Sequence, residues 1–389
     1  MTQRAMPWLC VCAFTSMASM RICDAMLPAL AADFFSTTSQ TAMVVSAFAL
    51  AYGLMQLVYG PVGDRFGKLR VIGAATMLCT AGSVASAVSQ DIHWLVTSRV
   101  LSGAAAAGII PLTIAWIGDH VPYENRQAVL AHLLGATVFG MIGGQWLGGL
   151  IAETQGWRMA FVLLAAMFFV SGSALLWRFH ESDSVQSQAS ISMGNRMRSV
   201  VSSTWARCVL LVVFVEGALV FGVLAFIPSH LHSRFGLTMS EAGAVVALYG
   251  VGGLLYSRLA SRVLARLGER GLAKWGAAAL AFSFTVLGVS GDWGWALPAC
   301  LLAGFGFYAL HNTLQTHATQ MAPHARGTGV SLFVCCLFLG QSLGVSVVSQ
   351  LLKRSDLAIA FFMSAAGVLV LGIAFSHALR QRQLVARAL

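Results

Sequence analysis

The sequence predicts an all-α membrane protein of twelve transmembrane helices, arranged as two six-helix bundles in pseudo-twofold repeat. Three observations carry that reading. The first is composition: of 389 residues, 58% are hydrophobic and only 10% are charged, where an average soluble domain has about 25% charged residues. So few charges cannot coat a water-soluble protein of this length, which excludes an ordinary cytosolic enzyme, a disordered chain or a small secreted scaffold. The second is the pattern of long apolar runs. Segments such as Met159–Trp177 are apolar on every face, whereas the strands of a membrane β-barrel alternate apolar and polar residues. The third is an internal repeat. Tyr52-Gly53, Tyr59 and Arg65 recur at the same spacing as Tyr249-Gly250, Tyr256 and Arg262, offset by 197 residues. Gly144-Gln145-x-x-Gly148 recurs as Gly340-Gln341-x-x-Gly344, offset by 196. Two matches at nearly one offset imply a parallel repeat about an axis normal to the membrane.

A crossing needs about 20 apolar residues. Such runs lie at 7–31, 41–62, 70–89, 93–117, 128–152, 157–178, 207–231, 241–261, 271–290, 293–317, 327–351 and 357–379. The first is too long for a signal-peptide core and reads as a genuine span. A polar, Ser- and Gln-rich segment at 180–206 divides the spans six and six, with a short amphipathic helix expected near Met193–Val201. The expected domains are therefore 1–179 and 207–389, joined by the linker 180–206. With the N-terminus placed in the cytoplasm, 18 of the 24 Lys and Arg residues fall in inside segments. Four (Arg158, Arg234, Lys353 and Arg354) fall outside, and Arg21 and Arg99 lie within spans. That asymmetry places both termini in the cytoplasm. The net charge of +10 thus follows membrane topology and does not indicate a nucleic-acid partner. The eight cysteines sit in or beside apolar runs without metal-ligand spacing, so they read as small apolar residues. No disulfide, metal or cofactor is expected.

Taken in order, the spans carry a small set of residues that composition does not explain. In span 1, Arg21 and Asp24 are three apart and share a helix face. Asp24 lies nine residues from Asp33 at the outer edge, about 13 Å at 1.5 Å per residue. At that depth two charges persist only by pairing or by facing water. After span 2 comes Gly60-Pro-Val-Gly63-Asp64-Arg65-Phe-Gly67-Lys68-Leu-Arg70, read as a tight turn with a charge cluster. Gly63 and Gly67 permit close backbone approach. Asp64 suits the positive N-terminal end of a cytoplasmic helix, and the start of span 11 at Arg326–Gly329 is the expected partner. Span 4 holds Arg99, which costs roughly 3 kcal/mol in a bilayer unless paired or hydrated. In span 5, Gly140, Gly144 and Gly148 repeat every four residues and form one face suited to close helix contact; a helix of the second bundle is the expected neighbour. Span 7 carries Glu216, the one acid buried in the second half. Burial makes its charge costly, which suits a group that loads and releases protons. No basic residue at its depth is evident. Span 10 carries His311, Asn312 and Gln315; His is the natural proton handler near neutral pH, although an ordinary interfacial polar cluster has the same appearance.

These motifs together resemble the major facilitator superfamily, and the resemblance covers the whole chain. The segment Gly60–Arg70 is similar to that family's hallmark cytoplasmic loop, which braces the outward-open state. The second copy is degraded, with Ser261 in the place of Asp64. Arg99 and the small residues Gly103 to Gly108 resemble the family's span-4 motif, linked to proton transfer. The glycines of span 5 resemble the antiporter motif Gly-x-x-x-Gly-Pro-x-x-Gly-Gly, typical of exporters, with Gln145 in the proline's place. Asp24-x-x-x-Pro28 resembles span 1 of the 12-span bacterial drug:proton antiporters.

The resemblance implies a secondary transporter, not an enzyme. The spans hold no His-Glu-x-x-His, no Gly-x-Ser-x-Gly and no clustered acids. The expected activity is proton-coupled export of small amphipathic organic compounds by alternating access. The alternative is a proton-coupled carrier of an anionic metabolite or siderophore-like molecule, which Arg21 and Arg99 would suit. The expected partners are a small-molecule substrate, protons and the lipid bilayer of a bacterial inner membrane, with a single copy of the chain as the working unit. Arg21, Asp24 and Arg99 are expected as one cluster, with Asp24 held charged between two arginines, and Glu216 as the proton carrier.

Overall fold

The computed structural model describes residues 2–178 and 193–388. The first part of the predicted linker, up to residue 192, lies outside the described residues. All regular structure among those residues is helical: α1 (Thr2–Asp33), α2 (Thr38–Thr41), α3 (Met43–Phe66), α4 (Lys68–Ala87), α5 (Ile92–Ala106), α6 (Ile109–His120), α7 (Tyr123–Thr154), α8 (Trp157–Arg178), α9 (Met193–Ser202), α10 (Thr204–Leu224), α11 (Ile227–Phe235), α12 (Met239–Val289), α13 (Ala296–Gln320), α14 (Arg326–Leu352) and α15 (Leu357–Ala388). Eleven helical stretches among the described residues are long and apolar enough to cross a membrane. One of these, α12, runs 51 residues. It holds one non-helical residue, Gly268, at φ 64° and ψ 173°. Gly268 separates the two apolar runs predicted at 241–261 and 271–290.

Two predicted spans are broken in the middle, and proline explains both. Span 4 divides into α5 and α6 at Ala107 and Gly108. Pro111 has no N–H to offer the carbonyl four residues earlier, which is that of Ala107. The Gln56 side-chain amide from α3 donates to this carbonyl at 3.1 Å, and the Tyr59 hydroxyl donates to the Ala105 carbonyl at 3.2 Å. Span 7 divides into α10 and α11 at Ala225 and Phe226, and Pro228 likewise leaves the Leu224 carbonyl without a helical donor. Gln56→Leu is expected to leave a buried carbonyl unsatisfied and to destabilise the protein by about 1–3 kcal/mol. Thermal unfolding of the purified variant in detergent measures the loss.

The chain divides into two compact units. The first comprises Met1–Asn195 with Thr238–Gly243, and the second comprises Arg196–Leu237 with Ala244–Leu389. In the first, α1 packs on α7 and α8, α3 on α5, and α4 on α8. The short segment 238–243 joins it through α7: the Ser240 N–H donates to the Glu153 carboxylate at 3.2 Å. In the second, α10 packs on α14 and α15, and α13 packs on α14.

Candidate functional site

In the first unit the buried charge lies on α1. Pro28 removes the helical donor to the Asp24 carbonyl, so the helix is loosened at the acid. Arg21 Nη1 meets Asp24 Oδ2 at 3.3 Å, and both side chains are buried. Gln145 of α7, itself 1% exposed, lies with its amide against the Asp24 carboxyl. Arg99 of α5 is engaged elsewhere. Its guanidinium donates to the Ser19 carbonyl at 2.8 Å and to the Ser19 hydroxyl at 3.2 Å. It stacks 4.2 Å from the Phe48 ring centre and 5.9 Å from that of Phe161. The expectation of Asp24 held between two arginines is therefore corrected. Arg99 is near enough to act through space, but its hydrogen bonds go to a backbone carbonyl and a hydroxyl, which solvate a buried cation without a partner acid.

In the second unit α10 presents Glu216 and α13 presents His311. Glu216 Oε2 and His311 Nδ1 are 2.8 Å apart, with Glu216 fully buried. The imidazole stacks on Phe307 at 4.9 Å and lies 5.4 Å from Phe333, so the pair sits in an aromatic sleeve. Glu216 thus has the basic partner that depth counting along the chain did not reveal. Asn312 turns instead to the buried Tyr256. Gln315 is exposed and joins neither group.

The glycine stripes meet helices of their own unit. A side chain at Gly140, Gly144 or Gly148 would strike the backbone carbonyl of Phe14, Ala18 or Ile22 on α1. Gly340 and Gly344 stand in the same way against Phe214 and Ala218 of α10. The expectation of a neighbour from the other bundle is corrected accordingly. The carbonyls of α1 recur every four residues, as the glycines do, and the two rows mesh. Gln341 is buried beside its stripe.

The segment Gly60–Arg70 is less of a loop than its sequence indicates. The helix α3 continues through Gly60, Pro61 and Gly63 to Phe66, and the chain turns only at Gly67, where φ is 88°. Gly63 admits the Leu112 side chain of α6, while Gly60 faces open space. Lys68 Nζ meets Asp119 at 2.6 Å and Asp64 at 3.4 Å. Arg65 lies over Phe66 at 5.2 Å, and both Arg65 and Arg70 are exposed. The acid at 119 was not singled out in the sequence; it ties α6 to the turn.

The arrangement offers two buried carboxyls, one in each unit, with partners of different chemistry. Arginine stays protonated at any physiological pH, so the cation beside Asp24 is permanent. An imidazole nitrogen can either donate or accept, so Glu216 and His311 can share a single proton across their 2.8 Å contact.

Comparison with known proteins adds the following. The Major Facilitator Superfamily profile matches residues 9–345. A "Multidrug resistance protein 2" of Bacillus subtilis (strain 168) is 24% identical over 359 residues, covering 89% of this chain and 88% of its own. A "Chloramphenicol resistance protein" of Pseudomonas aeruginosa is 22% identical over 350 residues, covering 87% and 82%. Among solved structures, a mutant of the nucleoside transporter NupG superposes with a TM-score of 0.81 at 14% identity, covering 95% of this chain and 98% of its own. A bacterial homologue of the lysosomal transporter Spinster superposes with a TM-score of 0.76 at 18% identity, covering 96% of each chain.

Proposed function

The chain belongs to the major facilitator superfamily, and on that premise we propose that it couples proton entry to export of small amphipathic organic compounds. It crosses the membrane twelve times as two six-helix bundles, α12 making two of the crossings by turning at Gly268. Both termini face the cytoplasm of a bacterial cell, the membrane is the inner one, and one copy is the working unit.

The observation that supports coupling best is the contrast between the two buried acids. The Glu216–His311 pair can gain or lose one proton without breaking a permanent ion pair, so Glu216 is the proton carrier. Asp24, beside the fixed cation of Arg21, is the substrate-sensing group. A buried carboxylate that is briefly neutral releases Arg21, and a cationic or polar substrate group competes for the same oxygen atoms. The two relatives named for drug resistance point the same way for substrate class. The alternative, a proton-coupled carrier of an anionic metabolite or siderophore-like molecule, draws on the two buried arginines Arg21 and Arg99.

The test is made with purified protein in liposomes carrying an imposed pH gradient, using ethidium and chloramphenicol as probes. Gradient-driven movement of either, abolished by a protonophore, is the expected result. Gradient-driven uptake of nucleosides or organic anions, with no movement of the probes, overturns the reading.

A further inference from the structure

The strongest unassigned feature is Gln145. It sits in the middle of the α7 glycine stripe, where the antiporter motif it resembles has proline. Its side chain is 1% exposed. The meshing of Gly144 on Ala18 and of Gly148 on Ile22 brings the α7 backbone into contact with α1. That contact places an α7 side chain within reach of Asp24. Asp24 Oδ2 is taken by Arg21. Asp24 Oδ1 and Gln145 Nε2 are both buried, and neither has a hydrogen-bond partner among the described residues.

We propose that Gln145 is a positioning residue for Asp24, holding the free carboxyl oxygen in both of its protonation states and thereby setting the affinity of the substrate-sensing site. The chemistry is particular to an amide. Its NH2 donates to a charged carboxylate, and after rotation its carbonyl accepts from a neutral carboxylic acid. Proline has neither group. Gln145 therefore lets Asp24 change charge without leaving a buried polar atom unsatisfied in either state, which otherwise disfavours one of them. The consequence for substrate affinity rests on the assignment of Asp24 above; the positioning role does not.

The experiment has two arms. In the first, the purified protein is treated at pH 7 with a hydrophobic carbodiimide, which modifies neutral carboxyls, and labelling is read by peptide mass spectrometry. Gln145→Met, nearly equal in volume, is expected to change Asp24 labelling at least threefold and to leave Glu216 labelling within experimental error. Equal changes at both acids, or none at Asp24, overturn the proposal. Should Gln145→Met not be recovered from membranes, Gln145→Glu replaces it. Two facing acids then share a proton, so labelling at Asp24 rises, and unchanged labelling again overturns the proposal. In the second arm, ethidium transport is measured in a double-mutant cycle. Gln145→Met is expected to raise the half-saturating concentration about tenfold with the maximal rate within twofold, and to have no further effect in an Asp24→Ala background, which leaves no side-chain partner for the amide. A penalty that persists in that background means Gln145 acts through general packing and overturns the proposal. Labelling requires no transported compound, so it decides the positioning role even if the drug-export reading fails.

Discussion

Gly144→Leu is expected to prevent the first unit from forming, and Gly144→Ala to destabilise it by about 2–3 kcal/mol. The reason lies in what the missing side chain admits. A Cβ at Gly144 would meet the carbonyl oxygen, Cα and carbonyl carbon of Ala18, all within about van der Waals overlap and all backbone. A flexible side chain could rotate away, but a helix backbone cannot. The added methyl must push α1 and α7 apart along their contact, which also includes Gly140 against Phe14 and Gly148 against Ile22. Overpacking a well-packed interface by one or two methylenes typically costs about 1–3 kcal/mol. Leucine adds four carbons, and no local adjustment accommodates them. Separation would also withdraw Gln145 from Asp24, so transport is lost with stability. Fluorescence-detected size exclusion and thermal melts of Gly144→Ala, Gly144→Leu and the exposed-site control Phe169→Leu measure the effect. Phe169 is exposed, so its truncation is expected to change little. A Gly144→Leu protein with the parent's melting temperature would show that the α1–α7 contact is not as described.

Glu216→Gln is expected to lower proton-driven transport about 100-fold, to the level of passive leak, while substrate-for-substrate exchange continues. A loss of that order accompanies removal of a positioned proton-transfer group. Glutamine has nearly the shape of a protonated glutamate, and its amide still meets the His311 nitrogen 2.8 Å from the present carboxyl oxygen. The variant therefore mimics the proton-loaded protein: it folds, binds and exchanges, but it has nothing to discharge. His311→Asn is expected to fall less, about tenfold, because it retains an amide toward Glu216 but no ring nitrogen to share its proton. Asp24→Asn is expected to respond to the gradient still, with weakened substrate affinity, since its neighbour Arg21 is a fixed cation. The measurement is probe movement into liposomes with and without a pH gradient, beside counterflow of labelled probe at equal pH on both sides. If Glu216→Gln still follows the gradient while Asp24→Asn does not, the roles of the two acids are exchanged.

Much of this protein is legible in its sequence because the bilayer imposes a local rule. Every residue in a crossing must be apolar, small or paired, so the apolar helices and the few buried charges stand out one by one. Arg21, Asp24, Arg99 and Glu216 are all conspicuous for that reason, and all four are buried. The i, i+3 spacing of Arg21 and Asp24 also makes their pairing legible, since both lie on one helix. The prolines that break spans 4 and 7 were visible too, but the apolar run continues through them, and hydropathy alone does not register a missing N–H. What only the tertiary structure decided is which face meets which. His311 is 95 residues from Glu216, and Ser19 is 80 residues from Arg99; no periodicity along one helix records the rotation of another. The glycine stripe announces that some backbone will approach closely, yet only packing selects α1 as that backbone. Once α1 and α7 mesh, the position of Gln145 follows, and with it the group that faces Asp24. Burial of Arg21, Asp24, Arg99 and Glu216 follows from the apolar runs they interrupt, which the sequence displays directly. Partnership depends on the relative rotation and depth of two helices, which is settled by the sum of their contacts.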